Sequence, residues 1–252
     1  MKTIKSIGFW GYPAPKVVNE LKKDYPDANW IDLDVDFSNP KTNILPDAYC
    51  KIIRNIVDNA LFINPDIIVA PIGKDKCDSG WFAAKILAEK GFKVIQTTFE
   101  DLAPKREIKV CTSDLPLYKK VTTITDSIIK PDLLNKNFNQ IKIPTNNTSG
   151  NKSFTPGFWG VPPNDLNILN LFPNTTRVYG WIRCVEAGTP ADLDLEMYVD
   201  ENVPTVFYAQ AFCSKSSLAK YLADKYNGLY IDIDDYASNS IKAKIEAFLK
   251  LS

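Results

Sequence analysis

The sequence predicts an α/β protein in which an internal duplication gives two Rossmann- or flavodoxin-like lobes, with parallel sheets and a cleft between them. Three observations lead to this prediction. The tetrapeptide GFWG occurs twice, at 8–11 and 157–160, with a proline two residues after each copy. The heptad AKILAEK at 84–90 returns as AKYLADK at 219–225, with five of seven positions identical. Short apolar runs also alternate with helical patterns in the same order around both copies, which is typical of a duplicated domain.

The first copy alternates four strands with three helices. Ile52, Ile53 and Ile56 recur at helical spacing, whereas the run IIVAPI is apolar throughout, as a strand buried on both faces would be. Gly91 stands where a helix commonly ends. The predicted strands are 6–10, 29–35, 67–72 and 93–97, and the predicted helices are 16–24, 47–63 and 79–90.

The second copy follows the same order more compactly. PTVFYAQ at 204–210 repeats the pattern of PDIIVAP at 65–71, which is proline, then β-branched and aromatic residues, then alanine. Strand–helix alternation of this kind favours parallel sheets with right-handed crossovers. The predicted strands are 157–159, 177–184, 205–211 and 229–232, and the predicted helices are 165–171, 192–198, 216–225 and 240–251.

The chain between the copies is irregular. It contains a strand-like run at 108–112, a mixed segment at 115–129 and the polar stretch PTNNTSGNKSFTP, which is typical of a solvated linker. The run at 108–112 is also placed to complete the first sheet. The predicted parts are a first α/β lobe at 1–101, a linker with an extra strand and helix at 102–155, and a second α/β lobe at 156–252.

Composition argues against several classes of partner. Among 252 residues, Lys and Arg together number 30 and equal Asp and Glu, so no net field attracts nucleic acid or an anionic membrane. No apolar run approaches the ~20 residues of a membrane span, and the first residues lack the apolar core of a secretory signal. We therefore expect a cytoplasmic protein that binds neither nucleic acid nor membrane.

Five widely spaced cysteines, an odd number, argue against a disulfide framework.

The complete absence of histidine narrows the chemistry further. It excludes Ser–His–Asp and Cys–His nucleophiles, HExxH zinc sites and any histidine general base. Proton transfer in this chain would have to use Asp, Glu, Lys, Tyr or Cys.

Three cysteines fall where a ligand site is expected, beyond the carboxyl ends of parallel strands. Cys77 and Cys213 occupy equivalent loops before helices, where the helix dipole and nearby lysines favour a thiolate. Cys184 ends a predicted strand, close to Glu186. The first hypothesis is that Cys77, Cys184 and Cys213 hold a metal ion or an iron–sulfur cluster. In a variant of it, Cys184 and Cys213 act as catalytic thiols together with Glu186.

The alternative hypothesis is a small-molecule-binding protein without catalysis, in which the cysteines are structural because cysteine is so often buried. Its ligand would be anionic or aromatic and would lie in the cleft between the lobes. The contacts predicted for such a ligand are Trp10, Trp159, Lys74, Arg183 and Ser216. Tryptophans that pack the base of each lobe are the simpler interpretation of the two GFWG copies.

At the level of fold alone, two lobes with cysteines in their loops are similar to the cluster-bearing subunits of nitrogenase-like and 2-hydroxyacyl-CoA-dehydratase-like proteins. No motif of those proteins is matched residue by residue. The sequence therefore predicts neither a substrate nor an oligomeric state, and it does not decide whether the chain is an enzyme.

Overall fold

The computed structural model of the chain describes residues 3–73, 77–98, 105–135 and 155–251. The chain divides into two compact units, one made of residues 1–102 with 210–214 and the other of residues 103–209 with 215–252. Each unit has a four-stranded sheet of its own. The predicted domain boundaries at 101 and 155 stay a prediction.

The first unit consists of four strands and three helices in strict alternation. The strands are β1 (Ser6–Phe9), β2 (Asn29–Asp32), β3 (Ile67–Pro71) and β4 (Val94–Thr97), and the helices are α1 (Pro15–Asp24), α2 (Lys51–Ile63) and α3 (Asp78–Glu89). The sheet is parallel with strand order β2-β1-β3-β4. This is the start of the flavodoxin-like order, which reverses direction between β1 and β3. Strand β3 is buried along its whole length, as its unbroken apolar run predicts.

The second unit repeats this arrangement. Its strands are β5 (Gly157–Trp159), β6 (Arg177–Tyr179), β7 (Thr205–Gln210) and β8 (Leu229–Ile233). Its α-helices are α4 (Leu117–Asp126), α5 (Trp181–Ala187), α6 (Leu193–Met197), α7 (Ser216–Lys225) and α8 (Asn239–Leu251). Two 3-10 helices cover Pro131–Asn135 and Leu166–Leu171. The strand order is β6-β5-β7-β8, and this sheet is also parallel. The predicted class, α/β with two lobes on parallel sheets, is confirmed.

The repeated heptad forms the buried side of one helix in each unit. Ala84 and Leu87 of α3 are fully buried in the cluster that contains Ile68 of β3. Ala219 and Leu222 of α7 are fully buried in the equivalent cluster of the second unit. Two of the five shared positions, the first alanine and the leucine, therefore pack in the core of each unit, whereas the shared lysines are exposed in both.

The first glycine of each GFWG is required by close packing between strands. A β-carbon on Gly8 would lie 2.8 Å from Leu33 Cδ1, and a β-carbon on Gly157 would lie 2.3 Å from Thr205 Oγ1. Both distances are shorter than real side chains permit in a close-packed core. Each glycine lies on an inner strand of its sheet, so the repeated residue marks the same crowded place in both copies.

The predicted strand at 108–112 is wrong. This segment has no strand structure and lies beside β6, where the Val178 N–H donates to the Cys111 carbonyl at 3.1 Å. It therefore belongs to the second unit and does not complete the first sheet. The segment at 115–129 does contain a helix, α4, which contacts α5 and both 3-10 helices.

The predicted strand at 177–184 is right only for its first three residues. The chain leaves β6 at Gly180, whose φ of 74° is in the left-handed region that glycine adopts at little cost. Helix α5 begins at the next residue. Arg183, Cys184 and Glu186 are therefore helical residues and do not lie at a strand end as predicted.

The remaining differences concern the ends of elements. Strand β2 stops at Asp32, and α2 begins at Lys51, four residues later than predicted. Within the four described ranges, no helix is both long and apolar enough to cross a membrane.

Candidate functional site

The main candidate site lies at the carboxyl end of β1, which Trp10 follows directly. The Trp10 side chain is 2% exposed and packs in a cluster with Leu33, Cys50 and Ala83. Its indole Nε1–H is buried and has no hydrogen-bond partner among the described residues. The indole nitrogen is a donor only, and a buried donor without an acceptor costs about 1–3 kcal/mol. This atom therefore points to an acceptor that the described residues do not supply.

The N-terminus of α3 lies beside this indole. Gly80 in its first turn is buried, and a β-carbon on Gly80 would lie 3.9 Å from Trp10 Nε1. Cys77 precedes the helix in an extended conformation without capping it through its side chain, and Asp78 in the first turn is exposed. The N–H groups at the start of a helix carry the positive end of its dipole and favour an anionic acceptor. The Trp10 nitrogen thus lies beside the first turn of α3, in which the Gly80 N–H donates to the Cys77 carbonyl at 3.0 Å.

Buried amides of α2 fix the loop that holds this end of β1. Asn59 Nδ2 donates to the carbonyl of Leu33 at 2.9 Å and to that of Val35 at 2.8 Å. Between these two residues, the Asp34 carboxylate accepts the Gly11 N–H at 2.8 Å. Because Gly11 follows Trp10, this series of hydrogen bonds determines where the indole lies. In the sequence, the only local sign of this hydrogen-bonded arrangement is Asp34, an aspartate just after a strand.

The equivalent tryptophan of the second unit is satisfied internally. Trp159 is 1% exposed and packs against the Phe207 ring, with ring centroids 6.1 Å apart. Its Nε1–H donates to the Glu196 carbonyl in α6 at 2.7 Å. Trp159, predicted as a ligand contact, thus has its only donor occupied by the backbone.

Next to Trp159, an ion pair occupies the approach to α7. The Glu196 carboxylate is almost fully buried and pairs with Lys215 Nζ, whose side chain is 30% exposed. Lys215 stands immediately before Ser216, the first residue of α7. Since the cation is already paired, the predicted anion contact at Ser216 would have to compete with the Glu196 carboxylate.

Arg183, another predicted ligand contact, lies between two aromatic rings. Its guanidinium carbon is 5.4 Å from the Tyr179 ring centroid and 5.0 Å from that of Tyr198. These distances are within the range of cation–π attraction. Arg183 Nε is buried without a hydrogen-bond partner among the described residues, and Tyr198 is half exposed. This arrangement is the second unit's best candidate for an anionic or aromatic ligand.

Glu186, predicted as catalytic, holds the backbone of the preceding segment. Its Oε1 accepts the N–H groups of Lys109 at 2.7 Å and Val110 at 2.5 Å, and its Oε2 accepts that of Cys111 at 2.8 Å. Glu186 is 1% exposed. A buried carboxylate with three backbone donors is a structural anchor, and its catalytic role stays a prediction without support from these contacts.

The cysteine thiols differ in environment. Cys184 is fully buried in α5, with its Sγ 3.7 Å from the Asp192 carbonyl. Burial, and secondly the Glu196 charge, raises the pKa of Cys184 to about 12. Burial also raises the pKa of Cys111, with a further contribution from the Glu186 charge. These two thiols are therefore protonated at neutral pH, which disfavours a thiolate ligand or nucleophile at Cys184.

The predicted metal ligands are not brought together. Cys77 is exposed before α3, Cys213 is partly buried in the 210–214 loop of the first unit, and Cys184 belongs to the second unit. Over the described ranges there is no group of three or more His, Cys, Asp or Glu side chains that could hold a metal ion. Lys74, predicted to contact a ligand, lies outside the described residues.

Comparisons with known proteins add little. No family model matches the chain, and no curated protein matches it. Among solved structures, one titled "Crystal structure of ZnuA" is similar over 98% of each chain, with 12% sequence identity and a TM-score of 0.26. A TM-score this low carries no argument about function, so the site is interpreted from its own residues.

Proposed function

We propose that this chain is a small-molecule-binding protein whose first unit binds an anionic ligand at the start of α3. The observation that carries the proposal is the buried, unpartnered Nε1–H of Trp10 beside Gly80. A carboxylate or phosphate oxygen at this place would accept the indole N–H and would lie at the positive end of the α3 dipole, while the Gly80 N–H already donates to the Cys77 carbonyl. A binding role agrees better with the buried, protonated Cys184 than a thiolate mechanism does.

The choice of an anion follows from the two kinds of donor. Helix N-terminal N–H groups and an indole N–H are donors only, so the ligand group must be an acceptor. Charged acceptors form stronger hydrogen bonds than neutral ones, and the helix dipole adds to the preference for negative charge. The chain has no histidine, and the described residues include no group of three or more Cys, Asp or Glu side chains that could hold a metal ion.

Gly80 keeps the space next to the Trp10 nitrogen free of a side chain. The nitrogen itself is buried, and a β-carbon on Gly80 would lie 3.9 Å from it, in ordinary van der Waals contact. The position is helical, where glycine is less favourable than alanine by about 1 kcal/mol. Gly80 thus lowers helix stability at a place where a buried donor lacks a partner among the described residues. This combination supports a ligand-binding role for the position. A cytoplasmic location remains part of the proposal.

The experiment is isothermal titration of the purified chain with inorganic phosphate and, separately, with succinate. The Trp10→Phe variant removes the N–H and keeps an aromatic ring, and Gly80→Ala covers the nitrogen. Trp81→Phe is the matched control, because Trp81 follows Gly80 in the same helix and is 44% exposed. We expect wild type and the control to bind one of the two anions equally well.

For Trp10→Phe and Gly80→Ala we expect at least a tenfold weaker affinity, since a hydrogen bond to a charged group contributes about 1.5–3 kcal/mol. The same affinity in Trp10→Phe as in wild type would contradict the proposal. So would the absence of binding of either anion at millimolar concentration, which would leave an ordered water as the partner of Nε1.

A further inference from the structure

Two cysteines of the first unit lie next to each other although they are distant in sequence. Cys50 immediately precedes α2 and is 7% exposed. Cys213 lies in the 210–214 loop, which belongs to the first unit even though it follows a strand of the second. Both pack in the same apolar cluster. A hydrogen bond between their thiols, together with burial, raises the pKa of Cys50.

We propose that Cys50 and Cys213 are a redox-active pair that closes to a disulfide in the folded protein. The proposal stands on the shared cluster and on the placement of the 210–214 loop in the first unit. It is independent of the anion site, although Trp10 is a member of the same cluster.

The oxidant is a small-molecule disulfide such as oxidised glutathione. Cys213 is the more exposed of the two and attacks first: its sulfur bonds to one glutathione sulfur, and the other glutathione leaves as a thiol. In this mixed disulfide Cys213 has neither a thiol to share a hydrogen bond with Cys50 nor a charge beside it, so two of the causes that raise the pKa of Cys50 are removed. Cys50 then attacks the Cys213 sulfur and releases the second glutathione. Each protein thiol gives up its proton. In total, two protein thiols and one oxidised glutathione give one protein disulfide and two reduced glutathiones.

The bond would tie together distant parts of the chain. Its ends are 213 − 50 = 163 positions apart. It would fix the 210–214 loop, which connects β7 to α7 of the second unit, to the start of α2 in the first. A disulfide that closes a long loop restricts the unfolded chain strongly. Oxidation should therefore raise the melting temperature, by roughly 5 °C or more for a chain of this size.

The experiment treats the native chain with oxidised glutathione, blocks remaining thiols with iodoacetamide and maps the peptides without reduction. Trypsin releases Cys50 in peptide 42–51 and Cys213 in peptide 184–215. A second cleavage after Glu201 separates Cys213 from Cys184 within the latter. We expect a linked peptide that joins Cys50 to Cys213 and disappears on reduction. Its formation should be accompanied by the rise in melting temperature.

Variants decide between this pair and the other thiols. Cys77→Ser, which removes an exposed cysteine, should leave the link and the melting shift unchanged. Cys213→Ser should abolish both, while its circular dichroism shows that it is folded. Glutathione that stays on Cys213 without a link to Cys50 would overturn the proposal. A link between any other two cysteines, with Cys50 alkylated as a free thiol after unfolding, would overturn it as well.

Discussion

The two tryptophans of the GFWG copies have the same sequence neighbours and the same burial but different hydrogen bonding. Trp10 directly follows the inner strand β1, Trp159 is the last residue of the inner strand β5, and they are 2% and 1% exposed. The Trp159 Nε1–H donates to the Glu196 carbonyl, whereas that of Trp10 has no partner among the described residues. At this duplicated position, a backbone carbonyl thus accepts the indole N–H in one copy, whereas no described residue accepts it in the other.

The difference arises from the segment between the second and third strands of each sheet. In the first unit this segment contains one long helix, α2, while in the second it is broken into α5 and α6. The break places a carbonyl of α6 on the tryptophan. At the tryptophan position, the second copy is therefore closed by its own backbone, whereas the first keeps a buried donor without a partner among the described residues. The four predictions below test this contrast, from the largest expected effect to the smallest.

The strongest structural polar group of the second unit should be Glu186. The Glu186→Ala variant leaves three backbone N–H groups of residues 109–111 without their acceptor. We expect a loss of roughly 3–5 kcal/mol in the free energy of unfolding, measured by urea denaturation, because buried donors lose charged hydrogen bonds. Glu107→Ala is the control, since Glu107 is exposed and pairs with Lys109 at the surface. Equal stability of the two variants would show that the anchor contributes nothing.

The matched pair Trp159→Phe and Trp10→Phe isolates the hydrogen bond. Both substitutions remove the same volume from a buried site, but only the first leaves a buried carbonyl, that of Glu196, without its donor. Trp159→Phe should therefore be less stable than Trp10→Phe by about 1–3 kcal/mol in chemical denaturation. If Trp10→Phe loses as much stability as Trp159→Phe, then the Trp10 nitrogen has a partner in the free protein and the contrast fails.

Alkaline pH tests the protonated state of Cys184. The unfolded thiol ionises near its ordinary pKa, whereas the folded thiol stays protonated up to a pKa of about 12. The burial of the protonated Cys184 thiol therefore contributes fully to the free energy of unfolding below the ordinary thiol pKa. This contribution is lost as the pH rises towards 12. Between pH 9 and 10.5 the wild type should lose up to about 1.4 kcal/mol per pH unit more than Cys184→Ala. Parallel curves for the two proteins would show that Cys184 ionises normally in the folded state.

The smallest effect on stability is expected for Gly80→Ala. A β-carbon has room at this position, and alanine is the better helix former, so thermal unfolding should show no loss and up to about 1 kcal/mol of gain. The same variant should weaken anion binding, because its methyl group covers the Trp10 nitrogen. Gly8→Ala is the contrasting glycine, since its β-carbon would overlap the Leu33 side chain and should destabilise the protein. Destabilisation by Gly80→Ala would mean that this glycine is required by packing.

Much of the fold could be predicted from the sequence because its patterns are local. Buried runs such as that of β3 and helical spacing such as that of α2 set the alternation, and two copies of it confirm one another. The pattern of α5 favours a strand because the helix is buried on nearly every side, from Trp181 to Ala187, and no polar face indicates a helical period. The segment 108–112 alternates like a strand, but the partner of its backbone is the Glu186 carboxylate, which is distant in sequence.

The candidate site was less predictable because it depends on contacts between distant residues. In the sequence, only the repeated tetrapeptide indicates Trp10 as a site residue, and nothing in GFWG distinguishes Trp10 from Trp159. The distinction comes from the position of the Glu196 carbonyl, which no local pattern encodes. The sequence shows Gly80 only as a glycine shortly after Cys77. It shows Cys50 only as a residue next to a predicted helix. Their importance appears only when the indole and the 210–214 loop are placed beside them.

The most direct measurement is nuclear magnetic resonance of the indole N–H groups in the nitrogen-15-labelled chain during titration with phosphate and with succinate. The chain has five tryptophans, so five indole signals are expected, and the Trp→Phe variants assign them. We predict that the Trp10 signal moves downfield and saturates as it gains an anionic acceptor, while the Trp159 signal stays in place. A Trp10 signal that does not change with either anion, or one that changes no more than that of Trp159, would contradict the account.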